Sequence, residues 1–180
     1  MSLNLPIFDQ VVLVDEFDRE LGYMDKVEAH RGSAKLHRAI SVFLMNDQGE
    51  VLLQQRSSHK IVGAGQWANT CCGNVRPGES YESCAHRRLQ EELGVRDVAL
   101  KPVDVFHYAV QCNDDFSERE LDHVFVGRYN GAVTPNPHEV SDWKWVSFDQ
   151  LLQLDTVTYA PWLVMMMKRS SLVKLLQGEL

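Results

Sequence analysis

The most telling stretch of this chain is residues 80–93 (SYESCAHRRLQEEL), which read as a helix with one apolar face. Ala85, Leu89 and Leu93 recur every fourth residue, and Gly94 supplies the residue type that closes such a helix in the left-handed region. An apolar stripe of this kind needs a sheet or a second helix to cover it. The flanking sequence offers mainly strands: residues 10–15 (QVVLVD), 39–45 (AISVFLM) and 50–56 (EVLLQQR) are apolar and rich in β-branched residues, and 98–110, 121–129 and 142–146 follow suit. Asn46, Asp47, Gln48 and Gly49 are turn residues that predict a hairpin between 39–45 and 50–56. Gly63, Gly65, Gly73 and Gly78 punctuate a loop-rich stretch around residues 67–72. A second helix is expected over 162–176, with Pro161 at its start and Lys168, Arg169 and Lys174 toward its end. Strands with one helix in mid-chain and another at the end predict an α+β sandwich.

The 180 residues contain no internal repeat and no low-complexity linker, so a single domain over 1–180 is expected. With 25 acidic against 18 basic residues the net charge is −7, which speaks against nucleic acid or an anionic membrane as the main partner. An anionic ligand then requires a local cluster of Lys and Arg. No apolar run approaches the ~20 residues of a membrane-spanning helix. Residues 1–8 lack the basic and apolar regions of a signal peptide. Cys71, Cys72, Cys84 and Cys112, two of them adjacent, are too few for a disulfide scaffold and fit a reducing cytoplasm.

The helix and the loop before it carry Glu79, Glu91 and Glu92, and both of the last two lie within one turn of Arg88. Adjacent carboxylates beside a glycine-rich loop suit Mg²⁺, which takes a few carboxylates, waters and phosphate oxygens, although a charge run alone is more often a solvated face. The spacing changes those odds. Gly73, Glu79, Arg87, Leu89, Glu91, Glu92, Gly94 and Val95 fall in register with the Nudix box, and the segment resembles it at every fixed position but Arg88, where the pattern has Glu. The resemblance implies an α/β/α sandwich with a mixed β-sheet, the boxed helix lying beside the metal.

Beyond the box, the chain from about Lys26 to Trp162 resembles the type 1 isopentenyl-diphosphate isomerases, Nudix-fold enzymes that do not hydrolyse their substrate. Residues 67–73 (WANTCCG) resemble that family's cysteine segment and map the catalytic thiol onto Cys72. Glu118-Arg119-Glu120 resembles its Glu-x-Glu pair, with Glu120 catalytic and both carboxylates metal ligands. His30 and His37 fall on two metal-binding histidines, Tyr108 on the active-site tyrosine and Trp162 on the tryptophan near the C-terminus. The family's phosphate-binding cations map onto Lys26, Arg56, Lys60 and Arg88, which accounts for Arg88 in place of the Nudix glutamate. Glu92 maps onto the glutamate that binds the Mg²⁺ of the diphosphate. Asn74 stands where the family has a third histidine and offers only an amide oxygen; Ala64-Gly65 replaces Pro-Gly.

The resemblance implies an enzyme that interconverts isopentenyl and dimethylallyl diphosphates, with Mg²⁺ and a second divalent metal, Mn²⁺ or Zn²⁺, at the imidazoles and carboxylates; a cytoplasmic monomer is expected. Its partner is a small prenyl diphosphate, not nucleic acid or membrane. Shifting the double bond requires a proton added on one carbon and one removed from another, through a tertiary carbocation that water would capture. The chemistry therefore calls for a dry site, an acid and a base, and an unreactive π face, for which Trp162 is the candidate. A pyrophosphohydrolase acting on a nucleoside or prenyl diphosphate is the alternative, and a binding module that has lost activity is a third reading. Cys71, Cys84 and Cys112 are expected to pack as small hydrophobes, Trp143, Trp145 and Met165 to Met167 as core, and His59, His86, His107, His123 and His138 at the surface or between strands.

Overall fold

The computed structural model describes residues 9–155 and 157–178. Residues 1–8, expected to hold no signal peptide, lie outside the described residues. The strands are β1 (Gln10–Val14), β2 (Glu20–Asp25), β3 (His37–Met45), β4 (Val51–Arg56), β5 (Trp67–Ala68), β6 (Cys71–Asn74), β7 (Leu100–Gln111), β8 (Ser117–Arg128) and β9 (Val140–Val146). The helices are α1 (Lys26–His30), α2 (Tyr81–Leu93), α3 (Phe148–Leu151), α4 (Pro161–Met166) and α5 (Ser170–Leu176).

All nine strands join one mixed sheet in which β3 is the hub. Its outer edge runs antiparallel to β6, from Ala39↔Asn74 to Val42↔Cys71, and its other side runs parallel to β8 from His37↔Glu120 to Met45↔Arg128. The predicted hairpin is corrected: β3 and β4 meet only at Met45↔Val51, beyond which β4 pairs along its length with β9. The turn residues direct the chain back as expected, but the two strands then part because each finds a longer partner elsewhere.

Alternation along β3 splits the core into two layers. Ile40, Val42 and Leu44 pack with Ala85, Leu89 and Leu93 of α2, while Phe43 faces Trp162, Leu163, Met166, Leu172 and Leu176 of the C-terminal helices. Each such side chain, fully buried, contributes about 1.5–3 kcal/mol of transfer free energy. The result is the expected α/β/α sandwich. Helix α2 begins where its chemistry says it should, with the Ser80 hydroxyl accepting from the Ser83 N–H at 3.1 Å. It ends at Gly94, whose φ of 67° and 2.9 Å clearance to the Thr134 carbonyl leave no room for a side chain.

The single C-terminal helix expected over 162–176 is two helices, broken at Met167 to Arg169. Arg169 leaves the helical path to bond Asp104 at 2.9 Å and to lie over the Phe106 ring at 4.1 Å. Met166 and Met167 are buried and Met165 packs against the same core, as expected, and Trp143 and Trp145 pack against the α2 layer.

Candidate active site

On the C-terminal-helix side of β3 the structure encloses a cavity of about 290 Å³. Of the site residues expected from sequence, Lys26, His30, Arg56, Lys60, Cys72, Asn74, Arg88, Tyr108, Glu118, Glu120 and Trp162 line it; His37 and Glu92 stand behind its wall. Register explains the convergence. Strand β8 aims Glu118, Glu120 and Asp122 to one face, β3 sets His37 opposite Glu120, β7 sets Tyr108 opposite Glu120, and β6 sets Cys72 opposite Ser41.

At one end, His30, His37, Glu118 and Glu120, all buried, present ligand atoms within 4.8 Å of one another. His30 Nδ1 lies 2.6 Å from the Lys26 carbonyl and His37 Nδ1 2.7 Å from the Lys35 carbonyl. Each carbonyl takes the Nδ1 proton, which turns a bare Nε2 toward the cluster, the outer contact typical of metal-binding histidines. Glu118 Oε2 is buried, accepts no hydrogen bond and faces His30 Nε2 at 3.0 Å. A buried imidazole nitrogen and a carboxylate oxygen that close fit a divalent cation in place of a shared proton. Burial pushes the Glu118 carboxyl up, but His30 and then His37 outweigh it and hold it at about 2. Burial and then the Glu118 charge push Glu120 the other way, up, against the opposing hydrogen bonds of His37 and Tyr108. Tyr108 donates to Glu120 Oε2 at 2.5 Å.

Asn74 belongs to this end, but not in the pose the amide-oxygen reading requires. Its Nδ2 lies 3.0 Å from His37 Nε2 and donates to Glu120 Oε1 at 3.1 Å. The amide nitrogen thus fills the gap that an imidazole ligand would occupy, and ligation through Oδ1 requires the amide to turn over.

Cys72 bridges the two ends. Its thiol donates to Asn69 Oδ1 at 3.1 Å and lies 3.7 Å from the Ser41 hydroxyl. Burial, then Asp122, push it up to about 12, so the sulfur keeps its proton at neutral pH. Trp162 is 2% exposed, with Arg56 5.0 Å above its ring. A side chain at Gly63 would come within 2.8 Å of Trp162, so the bare glycine, at φ 60°, lets that ring reach the cavity.

At the other end Glu92 is buried and fully engaged. Oε1 accepts from Lys60 at 3.0 Å and from Arg88, and Oε2 accepts from Gln54 at 2.7 Å. Burial pushes Glu92 up, but Arg88 and then Lys60 hold it well below the usual carboxylate range. The other carboxylates of the box are also tied to arginines: Glu79 takes Arg87 bidentately at 2.6 and 2.8 Å, and Glu91 takes Arg88 at 2.7 Å. Lys26 and Arg56 form no ion pair among the described residues. Desolvation, then the nearby charges of Arg88, Lys60 and Arg56, bring the Lys26 ammonium down to about 8.

Glu139, Asp122, His59 and His138, in or beside this cavity, were not expected from sequence as site residues. Glu139 lines it and bonds both Lys60 and Arg88. Asp122, 0% exposed, accepts from Ser41 at 2.7 Å and continues the period of two set by Glu118 and Glu120, a signal that was available. His59 and His138 are exposed as expected but also stand at the cavity mouth. His123 packs between elements, stacked on Tyr81 at 3.5 Å. Cys71 and Cys84 are buried, Cys112 is half-buried, and all four cysteines are free.

Comparison with known proteins agrees with this geometry. Residues 35–164 match the NUDIX domain. Isopentenyl-diphosphate Delta-isomerase 2 of Aromatoleum aromaticum is 40% identical over 94% of this chain and 90% of its own length. The isopentenyl-diphosphate Delta-isomerase of Nocardia farcinica is 45% identical over 85% and 89%. Among solved structures, a Deinococcus radiodurans protein superposes with a TM-score of 0.74 over 89% of this chain and 98% of its own, and the MutT protein of Methanosarcina mazei with 0.61 over 80% and 94%, each at 22% identity, a likeness of fold alone. With that much of its length shared with both the domain and the enzymes, the chain belongs to the Nudix-fold isopentenyl-diphosphate Delta-isomerases.

Proposed function

We propose that this enzyme interconverts isopentenyl and dimethylallyl diphosphates by moving protons between Cys72 and Glu120 across one enclosed cavity. The observation that carries the reading is the convergence itself: a protonated thiol, a Tyr108-bonded carboxyl and the Trp162 ring meet beside four cations in about 290 Å³. A hydrolase has no use for that thiol and ring, and its metal-binding carboxylates are here tied to Arg87 and Arg88.

Lys26, Arg56, Lys60 and Arg88 bind the diphosphate and place the alkene among Cys72, Glu120 and Trp162. Cys72 and Glu120 give and take the two protons, and the reverse reaction exchanges their roles. Tyr108 holds the Glu120 carboxyl in place. The buried Trp162 face excludes water and stabilises the tertiary cation, worth about 2 kcal/mol when desolvated. His30, His37, Glu118 and Glu120 would hold a divalent metal, Mn²⁺ or Zn²⁺ by the mixed nitrogen and oxygen donors, with Asn74 alongside. When bound, that ion supplies positive charge that sets the protonation of the two carboxyls. Glu92 would hold the Mg²⁺ that accompanies the diphosphate, its oxygens being engaged here by Gln54, Lys60 and Arg88. Cys72→Ala is expected to abolish turnover with an unchanged circular dichroism spectrum; near-normal turnover by that variant would sink the mechanism.

A further inference from the structure

Lys60 and Arg88 are not open to a ligand in this structure. A square of alternating charges holds them: Glu92 Oε1 accepts from both, and Glu139 Oε2 accepts from both, from Arg88 at 3.2 Å. The two carboxylates differ in place. Glu92 has a side chain 1% exposed and sits behind the cations, whereas Glu139 is 28% exposed and lines the cavity. A phosphate oxygen that approaches Lys60 and Arg88 from the cavity meets the Glu139 carboxylate first, and like charges at that separation repel.

The Glu139 backbone is fixed independently of its side chain. Its N–H donates to the Asn136 carbonyl at 2.9 Å and its carbonyl accepts from Ser57 N–H at 3.0 Å, at the entry to β9. Rotation of the side chain alone uncovers both cations on the cavity side, with no strand disturbed, while Glu92 still holds them from behind. Lys26 and Arg56, by contrast, pair with no carboxylate among the described residues, so of these four cations two are uncapped and two capped.

We propose that Glu139 is a built-in stand-in for the diphosphate, a carboxylate that caps Lys60 and Arg88 until a ligand with enough negative charge displaces it. Resting on the diphosphate-binding reading above, this makes Glu139 a specificity residue: it holds two like charges in place in the empty cavity and raises the charge a ligand must bring. Weakly charged ligands, satisfied by Lys26 and Arg56, leave the cap closed.

Calorimetric titration with inorganic pyrophosphate in Mg²⁺ buffer tests it, beside isomerisation of isopentenyl diphosphate by the same preparations. Glu139→Gln keeps the shape and removes the charge, and is expected to bind pyrophosphate on the order of tenfold more tightly than the native chain. Glu139→Ala, a second route to the same loss, is expected to move affinity in the same direction, and Glu139→Asp, which keeps the charge, to stay near the native value. Unchanged or weaker binding by both neutral variants overturns the cap, weaker binding meaning that Glu139 helps to hold the ligand. A native chain that isomerises its substrate yet binds no pyrophosphate also overturns it. A native chain that does neither removes the diphosphate reading itself, and the cap with it.

Discussion

The two ends of the cavity treat charge in opposite ways. At the histidine end, sheet register brings His30, His37, Glu118 and Glu120 together and leaves Glu118 Oε2 buried with no donor. At the helix end, Lys60, Arg88, Glu92 and Glu139 satisfy one another around a closed square. The first end is short of positive charge and suits a cation; the second is neutral as it stands, and on the proposal above it opens to an anion that competes. A buried acceptor facing another acceptor is costly until an ion fills it, whereas a buried ion pair is costly only when one partner is removed. The thiol of Cys72 and the ring of Trp162 lie between the two, where neither excess charge nor water is wanted.

The largest expected effect follows from emptying the first end. Exhaustive chelation should abolish turnover, and re-addition of Mn²⁺ or Zn²⁺ should restore it and raise the melting temperature by several degrees at 100 times the dissociation constant, about 2.7 kcal/mol. Full activity in metal-free enzyme would break the contrast between the ends. Next comes the square. Arg88→Ala leaves Glu92 buried with Lys60 as its sole charged partner, and is expected to cost about 3 kcal/mol in urea unfolding, the low end for a broken buried pair. A cost below about 1 kcal/mol would mean that the square is not holding the helix end together.

Two smaller effects sharpen the picture. Asn74→His puts an imidazole where the amide nitrogen now sits against His37 and Glu120, and is expected to tighten metal binding about tenfold by calorimetry. Unchanged affinity would place Asn74 outside the metal's surroundings. Lys26 is charged below about 8 and loses its proton as pH rises through that value, so kcat/KM should fall on the alkaline side. Lys26→Arg, charged throughout, should flatten that limb while leaving the acid side alone.

The sequence made some of this legible and not the rest, for physical reasons. Helix α2 was readable because its cap, its apolar stripe and its terminal glycine are local. Strand β6 is not legible in the sequence, since a loop-rich stretch surrounds residues 67–72 and it is pairing with β3 that makes Cys71 to Asn74 extended. Strand β2 and helix α1 were missed for the same reason: a half-exposed strand and a short helix held by their neighbours. The break between α4 and α5 comes from a tertiary contact, Arg169 to Asp104, that no periodicity announces. At the site, Cys72, Glu120 and the cations were legible only through the resemblance to the isomerase family. Glu139 was not, because its position against Lys60 and Arg88 depends on how the loop before β9 returns to the sheet.

The most direct test is proton NMR of the native enzyme with isopentenyl diphosphate and Mg²⁺ in deuterated water, with free phosphate assayed alongside. Proton transfer through Cys72 and Glu120 predicts dimethylallyl diphosphate carrying deuterium in a methyl group and no phosphate released. Phosphate release without isomerisation, or an unchanged substrate spectrum with metal-replete enzyme, would contradict the account.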